Sequence, residues 1–326
     1  MNKINLGIIY GGRSGEHEIS IRSAESVKKA LRPERYDIHE FFITKEGRWQ
    51  PHPILPEPGA NAGLDVVFPL LHGTFGEDGT VQGLLELADL PYVGAGVLAS
   101  SVSMDKAVMK RLCQAVGIPV VDYVVLEKGH WSLDELTLPF GFPVFVKPAN
   151  LGSSVGITKA KTNGELRGAL ETASRYDHKI VVERGVAGRE FECSVLGGEP
   201  PRAAMPCEIL PSREFYDYED KYLLNKARIE LPAKLTDKET KEIQSLAVRC
   251  FEAVGCEGMG RVDFLMEAST GMIYANEINT IPGFTSISMY PKMWEYNGIP
   301  YPELLDQLID LALKRGEDRR RLSYTR

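Results

Sequence analysis

Strand-like and helix-like segments alternate along this chain, and that alternation predicts an α/β protein: an open parallel sheet followed by smaller α+β units. Three observations carry the prediction. Residues 4–10 form a nearly continuous apolar run that ends in the turn Gly11-Gly12-Arg13-Ser14-Gly15 and leads into a helix reaching about Leu31. Further apolar strands at 36–43 and 65–70 are each separated by helical or loop segments. Late in the chain, GRVDFLME and MIYANEINT alternate polar and apolar residues around the turn signal Ser269-Thr270-Gly271, the signature of a half-buried hairpin.

The elements follow in order. A helix covers 80–88, and the proline-rich stretch Pro51, Pro53, Pro56, Pro58 reads as a loop, so residues 1–94 make a first unit. A helix at 97–116 is stopped by Gly117-Ile118-Pro119. Strands near 121–126, 144–148, 157–160 and 180–183 flank a helix at 165–176, giving a central unit over 95–182. The last unit, 183–326, opens a long helix with a capping box, Thr236 and Glu239, and carries Ile243, Leu246, Ala247, Cys250, Phe251 and Val254 at helical spacing as core. The hairpin follows, then a helix at 302–314 and a solvated tail at Arg319-Arg320-Arg321. No internal repeat is visible.

Composition narrows the function. With 326 residues and 43% hydrophobic content the chain can bury two or three cores. A net charge of −7 and a pI near 5.6 give no electrostatic footprint for nucleic acid. No apolar run approaches the roughly 20 residues that span a bilayer, and MNKINLGIIYGG is broken too early by glycine for a secretory signal. Five cysteines without CxxC spacing fit reduced, buried thiols in a cytosolic protein.

The hairpin carries the strongest chemical signal. A turn centred near Thr270 sets Asp263 opposite Glu277 and Arg261 opposite Asn279, all on one face. Facing carboxylates repel unless a positive charge lies between them, and hard oxygen ligands suit Mg²⁺; a solvated face with a surface ion pair is the plainer alternative. The second signal is Lys147-Pro148-Ala149-Asn150-Leu151-Gly152-Ser153-Ser154-Val155-Gly156. A lysine ending an apolar strand wants an anion, and a glycine-serine turn offers N–H groups and hydroxyls to phosphate. An ordinary hairpin turn with a surface lysine would read the same. Lys106, Glu183 and Glu190 gain meaning only as a set: a phosphate contact, a base contact at a strand edge and a ribose contact. Glu16 lies at a strand-to-helix switch where ligands bind, though a glutamate there is also good capping. The aromatic, charged segment 214–222, in a connection of about 208–230, reads as a docking lid. Gly94-Ala95-Gly96-Val97-Leu98-Ala99 matches a dinucleotide fingerprint but lacks an acidic ribose partner about 20 residues on, so it reads as an interdomain turn.

Taken together and in order, GGRSGEHEIS, LLHGTFGEDGTVQG, SMDK, KPANLGSSVG, VVERGVAGREF, EFYDYEDKY, GRVDFL and NEINTIPGFTSISMYP resemble the D-alanine–D-alanine ligases of the ATP-grasp superfamily, over nearly the whole chain. The resemblance implies an ATP-grasp fold with an N-terminal Rossmann-like substrate domain. It implies ATP-dependent joining of two D-alanines through a D-alanyl phosphate, for peptidoglycan precursor synthesis in the cytoplasm, by a homodimer. Lys106 and Lys147 would hold ATP phosphates under the Ser153-Ser154 turn, with Glu183 and Glu190 on adenine and ribose. Asp263, Glu277 and Asn279 would hold two Mg²⁺, for which Mn²⁺ substitutes. Glu16 would meet the first D-alanine's ammonium, linked through Ser153 and Tyr222, with His72 nearby. Arg261 and the Gly283 N–H would stabilise the oxyanion. Lys221 and Ser288, beside Met289, would take the second D-alanine's carboxylate, and Lys221 would also reach the nucleotide. Tyr222 favours an amine acceptor over D-lactate. D-serine or D-lactate ligation, a Rossmann oxidoreductase on the Gly94 turn and a non-catalytic nucleotide-binding module are the competing readings.

Overall fold

The computed structural model describes residues 3–127, 136–210 and 228–324. The first sheet has the order β3-β2-β1-β4. Its central strand β1 (Ile4–Gly11) is flanked in parallel by β2 (Tyr36–Ile43) and β4 (Val66–Pro69); β3 (Trp49–Gln50) runs antiparallel to β2. Helix α1 (His17–Ala30) covers one face, where Leu6 and Ile8 pack with Ala24 and Val27. Helix α2 (Thr80–Leu87) covers the other, where Ile9 and Val67 meet Val81 and Leu85. Burial on both faces is why β1 reads as a continuous apolar run. The unexpected edge strand β3 stops just before Pro51, which has no N–H to extend a ladder.

The single helix expected at 97–116 is two: α3 (Val97–Met104) and α4 (Lys106–Ala115). Asp105 between them is extended (φ −78°, ψ 99°), and its carboxylate accepts from the N–H groups of Ala107 and Val108. Aspartate as a cap outcompetes aspartate inside a helix. The break sets Lys106 in the first turn of α4.

The central sheet is antiparallel, ordered β5 (Tyr123–Glu127), β8 (Lys179–Arg184), β6 (Val144–Pro148), β7 (Thr158–Ala160). Helix α5 (Asn163–Ala173) packs on its outer face through Leu166, Ala169 and Leu170. On the inner face, Ala149 and Val181 meet Ala107 of α4. Strand β8 runs across the 182/183 boundary expected from sequence, and the change of sheet comes between Arg184 and Gly188.

The largest sheet contains β9 (Gly188–Leu196), β10 (Arg202–Ala203), β11 (Cys207–Leu210), β12 (Arg228–Glu230), β13 (Met259–Glu267) and β14 (Ile273–Asn279), in the order β12-β11-β9-β13-β14 with β10 also on β9. Helix α6 (Asp237–Ala253), which starts with the expected Thr236–Glu239 capping box, packs with α3 and α4 on one face. Phe191, Cys193, Val262, Phe264 and Ile278 point into that core. Alternation then sends Glu192, Arg261, Asp263 and Glu277 to the opposite face.

Two C-terminal helices bind the ends together. Helix α7 (Met289–Tyr296), unanticipated because Pro291 sits inside its short span, and α8 (Tyr301–Arg320) share one core with β1, β4, β9 and β11. Helix α8 outruns its expected end. Arg315 donates to the carbonyls of Gly94 (2.7 Å) and Tyr92 (2.6 Å), and Arg319 pairs with Glu86, so the basic tail is partly structural. All five cysteines are buried and free. Among the described residues, no helix is long and apolar enough to cross a membrane.

Candidate active site

The hairpin register is the one its alternation predicts: Arg261 faces Asn279 and Asp263 faces Glu277. A register shift after Asp263 makes Asn276 an extra residue, so Asn276 and Glu277 follow one another across a β-bulge. The sequence carries no signal for that bulge. Its result is an Asn276 Oδ1 that accepts from Lys147 Nζ at 3.3 Å, tying the large sheet to the central one.

Asp263, 3% exposed, accepts from Arg261 Nε (2.7 Å) and Nη2 (2.8 Å) and from Asn279 Nδ2 (3.1 Å). Glu192 on β9 also faces Asp263 and lies 3.4 Å from Arg261 Nε. Burial disfavours the Arg261 charge, but Asp263 and Glu192 outweigh it and hold the group firmly protonated. Glu192 was missed because on sequence it is one more polar residue of an alternating strand.

Across the gap, Lys106 Nζ donates to the Leu151 carbonyl (2.6 Å) and lies 3.9 Å from Glu277 Oε2. Lys147 Nζ lies 2.5 Å from Glu183 Oε2, and Lys110 Nζ lies 3.1 Å from Glu183 Oε1. Burial pushes the Glu183 carboxyl up, yet the two lysines reverse this and hold it at about 2. Lys110, fully buried, was also missed: it occurs mid-helix without a motif of its own. Glu190 lies on β9, half-buried, opposite Ile209 and Leu265.

Glu16 sits at the head of α1 without capping it by its side chain. Its carboxylate instead accepts from Ser153 Oγ, a contact between the first unit and the glycine-serine turn. Ser153 and Ser154 hold φ of +52° and +59°, a left-handed bend that costs L-residues energy and points to a constrained loop. Ser14 braces this corner, donating to the His72 carbonyl (2.7 Å) and accepting from the Glu16 N–H (3.1 Å). His72 donates from Nδ1 to the Ile281 carbonyl (3.1 Å), which leaves Nε2 to accept from Ser23 Oγ (2.9 Å). Burial lowers its pKa, so the ring is neutral.

A cavity of about 970 Å³ collects some of these groups, while Lys106, Lys147, Glu183, Glu190 and Asp263 lie outside its lining. Glu16, His72, Ser153, Arg261, Glu277, Asn279, Gly283, Ser288 and Met289 all line it, although they come from all three units. A Cβ at Gly283 would lie 2.6 Å from Ser288 Oγ, so a larger residue there would have to displace the Ser288 hydroxyl. The cavity also exposes Glu77, which accepts from the N–H groups of Gly73 (2.8 Å) and Ile281 (3.2 Å). Burial, then the nearby Glu16 charge, raises its pKa to about 8. Tyr222 and Lys221, expected on the lid, lie outside the described residues.

The donor set suits a hard divalent ion. Asp263 and Glu277 face each other with an amide oxygen beside them, and Arg261 supplies positive charge to Asp263. Among the described residues no group of three or more His, Cys, Asp and Glu could hold a metal ion; Glu192, which also faces Asp263, lies beside Arg261, so the set has two carboxylates and relies on Asn279. By contrast, the Gly94 turn is closed. A Cβ on Gly258 would lie 3.1 Å from the Gly94 backbone, and Arg315 occupies its carbonyl, which leaves no cradle for a dinucleotide pyrophosphate.

Comparison with known proteins supplies the family. The family model described as D-ala D-ala ligase N-terminus matches residues 5–59 and 55–95, and that described as D-ala D-ala ligase C-terminus matches 112–310. The chain belongs to the D-alanine–D-alanine ligase family. It is 62% identical over 324 residues to the D-alanine–D-alanine ligase of Solibacter usitatus, covering 99% of this chain and 100% of that one. The Thermoanaerobacter sp. ligase is 45% identical over 359 residues, covering 98% and 99%. Among solved structures, the D-alanine–D-alanine ligase of Coxiella burnetii superposes with a TM-score of 0.86 at 40% identity, covering 98% and 97%. The VanG D-Ala:D-Ser ligase of Enterococcus faecalis gives 0.87 at 35% identity, covering 95% and 100%. The fold is therefore that of the ATP-grasp ligases.

Proposed function

We propose that this chain joins two D-alanines into D-alanyl-D-alanine with release of ADP and phosphate. One observation carries the reading: the Ser153–Glu16 contact, Arg261 and Glu277 line a single cavity, with Asp263 paired to Arg261 and Lys106 3.9 Å from Glu277. Glu16 holds the ammonium of the first D-alanine, next to neutral His72. The carboxylate of that D-alanine is then aimed at the γ-phosphate of ATP, which Lys106 and Lys147 grip under the Ser153-Ser154 turn. Attack by that carboxylate oxygen gives D-alanyl phosphate and ADP. The second D-alanine's amine adds to the acyl carbon, and phosphate leaves as the tetrahedral oxyanion collapses. Arg261 spends two of its five donors on Asp263, leaving others for that oxyanion beside the Gly283 N–H. Ser288 and Lys221 orient the acceptor carboxylate, with Met289 lining its pocket. Asp263, Glu277 and Asn279 would hold two Mg²⁺, or Mn²⁺, which when bound neutralise phosphate charge during transfer.

The units fall at about 1–94, 95–182 and 183–326, with the connection 208–230 and Tyr222 serving as a lid that keeps water from the acyl phosphate. Exposed Leu87, Val97 and Leu98 on α2 and α3 support a homodimer. The enzyme works in the cytoplasm, in peptidoglycan precursor synthesis, on small molecules rather than nucleic acid or membrane. D-serine is the second acceptor to weigh, because one similar structure is a D-Ala:D-Ser ligase. Phosphate release with ATP, Mg²⁺ and D-alanine, with L-alanine as control and D-serine and D-lactate as acceptors, tests the reading. Release that ignores D-alanine would overturn it.

A further inference from the structure

Lys110 is the most deeply buried charge in the described chain, with no exposed surface, yet it belongs to none of the groups that can touch a ligand directly. It lies one turn after Lys106 on the same face of α4 and turns toward the inner face of the central sheet. There its ammonium sits 3.1 Å from Glu183 Oε1, while Lys147 holds Glu183 Oε2 at 2.5 Å. The Tyr123 ring, whose strand pairs with β8 at Glu183, lies 6.0 Å from the Lys110 ammonium.

Burying three ions together is costly, and burial pushes the Lys110 pKa down, but the Glu183 charge opposes that shift and each of its oxygens lies at ion-pair distance from an ammonium. A methionine would fill a similar volume without that cost, so packing alone does not account for a lysine. The charge balance does. Lys147 and Glu183 by themselves would cancel, leaving Lys147 a poor ligand for phosphate. With Lys110 sharing Glu183, two ammoniums face one carboxylate, and the group keeps one net positive charge.

We propose that Lys110 is a positioning residue for the nucleotide: by sharing Glu183 it fixes that carboxylate for the base and frees the charge of Lys147 for phosphate. This deepens the ligase reading and rests on it. Lys110 needs no contact with ATP, since its effect passes through Glu183.

The test is calorimetric binding of ADP to the full chain without D-alanine, followed by steady-state kinetics. Lys110→Met is expected to weaken ADP binding and raise the KM for ATP by about tenfold, with the KM for D-alanine unchanged, as loss of one partly screened charge near an anion implies. Adding Glu183→Gln restores the net charge but removes the base contact, so the rescue is read with inorganic tripolyphosphate, which carries no base: the double variant should bind it at least about threefold more tightly than Lys110→Met, a coupling that damaged packing would not produce. Should Lys110→Met fail to fold, Lys110→Gln, which keeps a hydrogen-bonding group near Glu183 but not the charge, carries the same expected loss. Wild-type ADP affinity in a Lys110 variant, or a double variant that binds tripolyphosphate no more tightly than Lys110→Met, would overturn the assignment and leave the ligase reading standing. A wild type that binds no ADP would overturn both.

Discussion

Glu277→Gln separates the chemical from the structural role of the hairpin. The Glu277 side chain is 24% exposed and its Oε2 lies 3.9 Å from Lys106 Nζ. Two unit charges at that distance interact by about 4 kcal/mol at an effective dielectric near 20. Water access reduces this toward the value of exposed pairs, about 1 kcal/mol or less. Glutamine keeps the shape and the strand pairing with Asp263, so the melting temperature should fall by no more than about 4 °C. Turnover should respond very differently. Without the Glu277 charge, a divalent ion at this hairpin is left with one carboxylate and an amide, and D-alanine-dependent ADP release should drop by about 100-fold or more. The assay is ADP release across an Mg²⁺ titration, with calorimetry on the same sample. Turnover within about tenfold of wild type, with an unshifted Mg²⁺ dependence, would refute the metal assignment.

Three further outcomes follow from the same geometry. Arg261→Lys keeps a charge but loses the two-pronged contact with Asp263; kcat should fall about 100-fold and stability by about 2–3 kcal/mol in urea unfolding. Gly283→Ala drives a Cβ to within 2.6 Å of Ser288 Oγ, so the KM for the second D-alanine should rise more than that for ATP in initial-rate kinetics. The raised pKa of Glu77, about 8 against an ordinary 4.5, means the folded chain binds this proton more tightly than the unfolded one. Its stabilising contribution is therefore complete below about pH 4.5 and lost as pH rises through 8. Thermal unfolding of Glu77→Gln between pH 6 and 9 should show a shallower decline than wild type, and equal slopes would count against the assignment.

Much of the site was legible because short-range patterns encode it. The hairpin needed only strict alternation and a central turn to bring Arg261 and Asp263 opposite Asn279 and Glu277. Glu16 was legible as a position but not as a role, since capping and ligand binding look alike until Ser153 reaches it from another unit. Lys110, Glu192 and Glu77 were illegible for a related reason: each is an ordinary residue of its helix, strand or turn, and at least one partner of each is remote in the chain. Asn276 became a lysine partner only through a bulge, a backbone irregularity that no residue pattern announces.

Local periodicity, capping and turn chemistry thus determined, from sequence alone, that this is an α/β chain with a parallel N-terminal sheet and a late acidic hairpin, because those forces act within a few residues. The co-linear motifs identified its family. Tertiary structure decided where helix 97–116 breaks, that α7 and α8 weld the first sheet to the last, and that two lysines share one glutamate. Those outcomes depend on burial and charge balance between segments far apart in sequence, and only the folded chain brings the segments together.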